Sequence, residues 1–225
     1  MNIVYREATL EDLPEIVRLH KENFEGYFLT SLGEDMLAAY YKEFIDEGCF
    51  FVVAEDLDID TEHQMIGFYM GHYRNSKAKE NFEKHNRKTL VKRLLVLCLK
   101  CNKNALSRCF GRVKDKFVKK KKDDKPQRDA VALSQCVDPA YRSTPEHIAY
   151  NLYKKGEAIM LQRAPFPIRT YGGVTKQNNL AFQKFMKKVG GEIVCEANGG
   201  ESYMYIHFLD PSARQEWIDA GVLKE

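Results

Sequence analysis

The sequence predicts an α/β (α+β) fold, a mixed and mostly antiparallel twisted sheet of about seven strands flanked by helices. Short runs of strand-forming residues alternate with segments of helical periodicity in the order β-α-α-β-β-insert-β-α-β-α-β-β. Some strands follow one another through short turns and others are separated by a helix, which predicts both antiparallel and crossover connections. At 225 residues and 44% hydrophobic content, the chain fits one globular domain, residues 1–225, with an insertion.

The first half of the chain predicts a strand, two helices and a β-hairpin. Residues 5–8 have a strand pattern, and Thr9-Leu10-Glu11-Asp12 has the residue types of a helix N-terminus. Apolar residues at helical spacing predict helices over 13–24 and 34–47. Polar residues between two further apolar runs predict a turn, so these runs form an antiparallel pair. The strands of that pair are predicted at 50–54 and 65–72.

The second half predicts four further strands and three helices. Asn198-Gly199-Gly200 supplies residues that tolerate positive φ, which is typical of a hairpin turn. Gly190-Gly191 is a typical stop for the helix before that hairpin. The predicted elements are a strand at 130–137, a helix at 145–162, a strand at 168–174, a helix at 179–189, strands at 192–195 and 203–208, and a helix at 211–223.

A strongly basic insert, residues 74–128, separates the third predicted strand from the fourth. Residues 74–129 contain 20 Lys and Arg against 6 Asp and Glu, whereas the rest of the chain contains 15 against 26. The net charge of +3 therefore conceals an acidic body with a basic segment set into it. Apolar residues over 90–117 predict one or two amphipathic helices, and the lysine run at 119–125 predicts a solvated segment.

The basic insert leaves several interpretations open. Its aromatic residues Phe82, Phe110 and Phe117 lie mostly at core-like helical positions, which disfavours base stacking, so no nucleic acid is expected. Contact with an anionic membrane or an acidic sugar-nucleotide acceptor stays open, as does a solvated helical cover over an acceptor site. Cys98 and Cys101 have the spacing of half a zinc site, but no second pair follows, so no metal is expected.

The strand at 130–137 leads through a short turn into a helix signal, an arrangement typical of a phosphate site. Val137-Asp138-Pro139-Ala140-Tyr141-Arg142 ends the strand, and Thr144 and Pro145 suit the N-cap and the first helical position. The free N–H groups of a first helical turn and the positive end of the helix dipole both favour anions. We therefore expect a pyrophosphate group to bind against the N–H groups of residues 142–147.

Three motifs in this order resemble the GNAT superfamily of acetyl-CoA-dependent N-acetyltransferases. They are residues 6–13 (Arg-Glu-Ala-Thr-Leu-Glu-Asp-Leu), residues 137–142, and residues 179–190 (Asn-Leu-Ala-Phe-Gln-Lys-Phe-Met-Lys-Lys-Val-Gly). The resemblance covers essentially the whole chain outside the insert and implies acetyl-CoA, or another acyl-CoA, as co-substrate. Residues 24–37 together with the basic insert are similar to one bacterial branch, whose members are associated with surface-polysaccharide genes.

The resemblance implies that a neutral amine attacks the thioester directly while backbone N–H groups polarise its carbonyl. These N–H groups would lie near Cys136 and Val137. Candidates for the catalytic base are His72 and Tyr73, which end the third strand, and Tyr171 in the fifth. The residues expected to contact the co-substrate are Cys136, Val137, Arg142, Ser143, Thr144, His147, Ile148, Ala149 and Asn179, the last beside the pantetheine arm.

The sequence departs from the family pattern at two places. Pro145 and His147 stand where the phosphate loop usually has glycines, and a two-residue insertion that shifts the alignment does not restore them. Met186 stands where the family usually has the tyrosine that protonates the departing thiolate. Structural interpretations also stay open, with Arg142 as a solvated turn residue and Asn179 as a helix cap.

The sequence thus predicts an acyl-CoA-dependent N-acyltransferase that transfers acetyl to the amine of a small molecule such as an amino sugar. The alternative is a degenerate, non-catalytic protein of the same fold that works as an interaction module through its basic insert. No signal-peptide pattern or apolar run of about 20 residues is visible, so a cytoplasmic protein is expected. A homodimer stays open.

Overall fold

The computed structural model describes residues 1–59, 63–100 and 126–223. Its strands are β1 (Ile3–Glu7), β2 (Phe51–Asp56), β3 (Met65–Tyr73), β4 (Ala130–Val137), β5 (Thr170–Lys176), β6 (Glu192–Ala197) and β7 (Ser202–Phe208). They form one seven-stranded sheet in the order β1-β2-β3-β4-β5-β7-β6. Neighbouring strands are antiparallel except β4 and β5, which are parallel. The predicted mixed, mostly antiparallel sheet is confirmed.

The helices flank this sheet in the predicted order. They are α1 (Leu13–Asn23), α2 (Phe28–Ser31), α3 (Glu34–Asp46), α4 (Ala78–His85), α5 (Arg87–Leu99), α6 (Ile148–Arg163), α7 (Leu180–Lys188) and α8 (Pro211–Asp219). Helices α4 and α5 form the first half of the basic insert, which confirms that it is helical there. The rest of the predicted helical run, the lysine run and Cys101 lie outside the described residues. Neither α2 nor α4 was predicted from the sequence.

The two faces of the sheet bury separate clusters of apolar side chains. Helices α1 and α3 cover one face and α6 covers the other. Because side chains alternate along a strand, Phe68 and Met70 of β3 point to the α3 face, whereas Tyr69 and Tyr73 point to the α6 face. Each large apolar side chain buried in this way contributes roughly 1.5–3 kcal/mol to stability. Adjacent residues of β3 therefore reach different environments.

The predicted capping sequence stabilises a short 3-10 turn, Leu10–Asp12, that leads directly into α1. The backbone N–H of Thr9 donates to the Asp12 carboxylate at 2.7 Å, and the Thr9 side chain participates in the reciprocal contact. The same carboxylate accepts two hydrogen bonds from Arg6, each 2.7 Å long. Arg6 also pairs with Glu55 of β2. The cap thus joins β1, β2 and α1.

The parallel contact between β4 and β5 is short. Only Ala130 pairs with Tyr171 and Val131 with Gly172, so no later residue of β4 pairs with β5. The two strands separate along most of their length, and the edge of β4 that faces β5 is left open beside the start of α6.

Strand β4 also contains a β-bulge. Its register with β3 shifts between Met70, which lies opposite Ser134, and Gly71, which lies opposite Ala132. Leu133 is therefore the extra residue, and such bulges re-aim side chains near functional sites. Here Leu133 lines the same cavity as Phe44 of α3, and Ser134 interacts with Tyr41 of α3. Two consecutive side chains consequently face the same helix.

Candidate active site

The loop between β4 and α6 reaches the helix later than the sequence predicts. Helix α6 begins at Ile148, and its N-cap residue is His147, so the predicted roles of Thr144 as N-cap and Pro145 as first helical residue are wrong. The physical reason is a competing hydrogen bond within the loop. The Thr144 hydroxyl donates to the carbonyl of Tyr141 at 3.1 Å instead of capping the helix.

His147 has a left-handed backbone conformation, with φ of 50° and ψ of 45°. Among residues other than glycine, Asn, Asp and His enter this region most readily. His147 therefore adopts the kind of conformation for which a phosphate loop usually employs glycine. The next two N–H groups, those of Ile148 and Ala149, have no acceptor within α6, because they belong to its first turn.

The side chain of Arg142 folds back onto the protein. Its Nε donates to the Val137 carbonyl at 3.0 Å and its Nη2 to the Asn23 amide oxygen at 2.5 Å, which ties the loop to β4 and to the end of α1. Glu146 has one carboxylate oxygen that is buried without a hydrogen-bond partner. The loop thus combines a helix N-terminus and an arginine, which fit a pyrophosphate group, with a carboxylate that opposes it.

The backbone donors predicted near Cys136 and Val137 point in different directions. The N–H of Asp138 donates to the Ile66 carbonyl at 2.8 Å, toward β3. Because N–H groups alternate along a strand, the N–H of Cys136 also points to β3, whereas that of Val137 points to the edge that β5 has left. Burial raises the pKa of the Cys136 thiol, which disfavours a thiolate. Of the two backbone N–H groups, that of Val137 is the better placed to donate to a ligand at the open edge, because that of Cys136 points to β3.

His72 is half-buried on the face of the sheet that α3 covers, with its ring centroid 6.0 Å from that of Phe44. Its Nδ1 lies 2.8 Å from the carbonyl oxygen of Tyr73. A carbonyl only accepts, so the neutral imidazole carries its hydrogen on Nδ1 and its lone pair on Nε2. Burial lowers the pKa of His72, so the ring is neutral and able to accept a proton at neutral pH.

The other two predicted catalytic residues lie on the opposite face, with α6. The Tyr73 hydroxyl donates to the Met160 carbonyl at 3.1 Å, and the Tyr171 hydroxyl donates to the Glu157 carboxylate at 2.7 Å. Burial raises the pKa of Tyr171. Both hydroxyls are thus engaged in structural hydrogen bonds, and the sheet separates them from His72.

Asn179 and Ser143 are the remaining residues predicted to contact the co-substrate, and Met186 stands where the family usually has a tyrosine. Asn179 is the N-cap of α7, and its side-chain oxygen accepts from the Phe182 N–H at 3.2 Å. Ser143 is an exposed loop residue between Arg142 and Thr144. Met186, which replaces the usual tyrosine, is buried in α7. The cap is the structural interpretation that the sequence left open for Asn179.

A cavity of about 230 Å³ lies beside His72, between the basic insert and α3. Helices α2 and α3 supply one wall, α4 and α5 supply another, and β3 and β4 close the end. The side chains around it are mostly apolar. They are Phe28, Leu29, Leu32, Tyr40, Phe44, Phe82, Leu90, Leu94 and Leu133, together with the polar residues His72, Lys79 and Glu83.

A group of buried polar side chains lies on the same face. The Tyr41 hydroxyl oxygen is 2.5 Å from Nδ1 of His20 and also interacts with the Ser134 hydroxyl on the bulge of β4. Burial lowers the pKa of His20 to about 4 and raises that of Tyr41. Ser134 is thereby linked through α3 to α1.

No protein-family model matches the chain, and no curated protein sequence matches it. Solved structures, in contrast, do match the chain. A chain of the NatC complex bound to Gag peptide and CoA superposes with a TM-score of 0.57 at 12% identity, covering 93% of this chain and 100% of that one. Ard1 from Thermoplasma volcanium gives 0.54 at 11% identity, covering 93% and 99%. NAA60 from Arabidopsis thaliana with a bisubstrate analogue gives 0.54 at 14%, covering 93% and 100%.

The chain has the GNAT fold. At these identities the likeness concerns the fold alone, and it confirms the fold that the sequence motifs imply. In this GNAT fold the edge of β4 opens past Val131, which lies opposite His72, and the start of α6 lies near the other end of the strand, beside Val137. The sequence predicted the bounds of that strand, and it predicted His72 near the end of β3.

Sequence reasoning missed His20, Tyr41 and the Leu133–Ser134 bulge in the GNAT sheet. His20 lies on the buried stripe of α1 with Ile16 and Val17, so a polar residue at an apolar helical position was the available signal. The bulge had no comparable signal, since it depends on the register with β3.

Within the described ranges, each helix falls short of the length and apolar character of a membrane span. Those residues also include no cluster of three His, Cys, Asp or Glu side chains suited to a metal ion.

Proposed function

We propose that the protein is an acyl-CoA-dependent N-acyltransferase that uses acetyl-CoA. The observation that carries this proposal is the juxtaposition, in a GNAT fold, of an opened β4 edge with a neutral histidine. The N-terminus of α6 borders the open edge, and His72 lies on the adjacent strand β3. Structures of this fold with CoA, such as the NatC complex, support the choice of co-substrate.

The residues of the chain would divide the work among binding, polarisation and proton transfer. The N–H groups of Ile148 and Ala149 and the guanidinium of Arg142 would hold the pyrophosphate, and the thioester would supply the acyl group. Backbone N–H groups on the open edge of β4 just past Val131, which lies opposite His72, would donate to the carbonyl as negative charge develops on it. Val137 lies opposite Gly67, roughly 16 Å along the sheet from His72, so its N–H would border the co-substrate nearer the pyrophosphate. The amine nitrogen forms its bond to the acyl carbon as the carbon–sulfur bond breaks. His72 Nε2 takes the amine proton, and the departing thiolate is protonated from water.

Calorimetric titration with acetyl-CoA and with CoA tests the proposal. We expect micromolar binding that weakens at least tenfold in Arg142→Glu, since this substitution removes a cation and introduces an anion at the loop. Arg163→Glu makes the same charge change at the other end of α6, where Arg163 pairs with Glu7, and should leave the affinity unchanged. Absence of binding up to millimolar ligand would reject the enzyme and favour the degenerate alternative.

The acceptor in this proposal is a small molecule with an amine. Amino sugars are the acceptors expected from the sequence, and release of free thiol in the presence of amino sugars, amino acids and polyamines would compare them. A cytoplasmic location, a bacterial source and a homodimer remain predictions from the sequence.

A second candidate function follows from the exposed surface of α5. Val91, Leu95 and Leu99 are 51%, 61% and 84% exposed, and exposed lysines Lys88 and Lys92 lie on the same helix. Apolar and basic residues combined on one helix favour an anionic membrane surface. Flotation with phosphatidylcholine vesicles, with and without phosphatidylserine, tests this contact. Binding that requires phosphatidylserine and is lost in Leu95→Glu supports it, and equal flotation with both vesicles rejects it.

A further inference from the structure

We propose that the cavity between the basic insert and α3 binds an apolar group on the acceptor, so that the acceptor is an apolar primary amine. This inference rests on the proposed function, because it names the class of molecule that receives the acyl group. It differs from the amino sugar that the sequence suggested, and it assigns the first half of the insert a role in specificity.

A continuous aromatic wall leads from the insert to His72. The ring centroid of Phe82 in α4 is 5.3 Å from that of Tyr40, which is 4.8 Å from Phe44, and Phe44 is 6.0 Å from His72. All four side chains line the cavity. An apolar group lying along this wall therefore extends toward the only ring in the row that can accept a proton.

The far end of the cavity is the bulge of β4. Leu133 lines the cavity together with His72, and the open edge of β4 begins past Val131. Lys79 and Glu83 also line the cavity and are exposed, so they mark a side that reaches solvent. An acceptor that enters there can bury its apolar part between α3 and α5 and place its amine between His72 and β4.

The chemistry of the lining favours an apolar group over a sugar. The cavity, at about 230 Å³, is smaller than the roughly 300–1,000 Å³ of pockets that enclose a whole drug-sized ligand, so it suits one part of an acceptor. Sugar hydroxyls placed against Leu32, Leu90 and Leu94 would lose their hydrogen bonds to water without replacement. Each methylene placed there leaves water and gains contacts instead.

The insert is anchored in the position that forms the cavity. Arg93 of α5 donates to the Asp35 carboxylate at 2.6 Å and to the carbonyl of Leu32. His85 at the end of α4 lies 2.7 Å from the Glu43 carboxylate of α3. Polar contacts from both insert helices to α2 and α3 therefore hold the wall in place, and the cavity is a feature of the packed structure.

Initial rates with a series of primary alkylamines test the inference. We expect kcat/KM to rise about fourfold for each added methylene from ethylamine to hexylamine, the factor that burial of one methylene gives. Glucosamine should be a poorer acceptor than hexylamine. Rates that are flat along the series, or highest with glucosamine, would overturn the inference while leaving the acyltransferase proposal intact.

A matched pair of variants assigns the effect to the cavity. Leu94→Trp fills the cavity and should abolish the dependence on chain length, whereas Leu95→Trp adds the same side chain at a neighbouring position that is 61% exposed and should preserve it. Calorimetric binding of hexylamine gives a readout without turnover. Hexylamine binding that is lost only in Leu94→Trp supports the cavity even if CoA does not bind, which would reject the proposed function alone. Equal binding by both variants rejects the cavity.

Discussion

The Nδ1 atom of His20 lies 2.5 Å from the hydroxyl oxygen of Tyr41, within the contact between α1 and α3. The other ring nitrogen lies 3.1 Å from the Thr30 hydroxyl, which itself donates to the Phe24 carbonyl at 2.6 Å. Because that carbonyl only accepts, the Thr30 oxygen must accept from His20 Nε2–H, and His20 Nδ1 must accept from Tyr41. The neutral imidazole is therefore fully paired, and a second ring proton would face the Tyr41 hydroxyl.

This pairing predicts that the protein loses stability in mild acid. Burial lowers the pKa of His20 to about 4, and that of His207 also to about 4, against an unfolded value of about 6.5. At pH values between the folded and unfolded pKa, the unfolded chain therefore binds more protons than the folded protein does. The free energy of unfolding should fall as pH decreases from 6.5 to 4, by up to about 1.4 kcal/mol per pH unit for each histidine.

Urea unfolding at several pH values between 7 and 4 measures this slope. His20→Gln should lower stability at pH 7 but also reduce the slope, because it removes one of the groups that titrate. His147→Asn changes an exposed histidine and should retain the full slope. An unfolding free energy that stays constant from pH 7 to pH 4.5 would contradict the prediction.

His72 should give the reaction a pH dependence on its acidic side. Because burial lowers the pKa of His72, kcat/KM calculated on the neutral fraction of the amine acceptor should decline only as pH falls below the ordinary histidine value of about 6.5. His72→Gln should reduce kcat by about 10²–10⁴-fold, the usual contribution of a general base, and remove this acidic limb. Acetyl-CoA affinity should remain. His63→Gln is the control for an exposed histidine, and an unchanged pH profile in His72→Gln would exclude His72 as the base.

Elements with a strong local pattern were predicted well from the sequence. Strand β4 was predicted at 130–137 and has those bounds, because strand-forming residues end there in an Asp-Pro turn. The start of α6 was predicted three residues too early. Thr144 and Pro145 suit a helix start locally, but the Thr144 hydroxyl binds Tyr141 and His147 turns left-handed. A hydrogen bond within the folded loop overrode the local preference.

The site needed information that no single segment contains. His72 was predicted as a candidate base because it lies near the end of a strand. Tyr73 and Tyr171 were grouped with it, although alternation along β3 sends Tyr73 to the other face. The bulge at Leu133 depends on the pairing of β4 with β3. The cavity depends on how the insert packs on α3, which sequence periodicity within the insert does not specify.

Arg93 should control how firmly the insert is held. Arg93→Ala removes the contacts to Asp35 and to the Leu32 carbonyl. Because Arg93 and Asp35 are partly exposed, we expect a loss of only about 1 kcal/mol, or about fivefold faster hydrogen exchange in α5. Lys92→Ala, at an exposed neighbouring position, should leave exchange unchanged. Equal exchange in α5 of wild type and Arg93→Ala would show that other contacts anchor the insert.

The left-handed conformation of His147 should make glycine acceptable, and even favourable, at this position. A side chain in that region raises the energy by about 1–2 kcal/mol relative to the usual helical region, a penalty that glycine avoids. His147→Gly should therefore stabilise the protein by up to about 1 kcal/mol in thermal unfolding, despite the added freedom of the unfolded chain. Ser143→Gly, in the same loop but without positive φ, should destabilise it. If both variants lose stability equally, the loop does not hold residue 147 in the left-handed conformation.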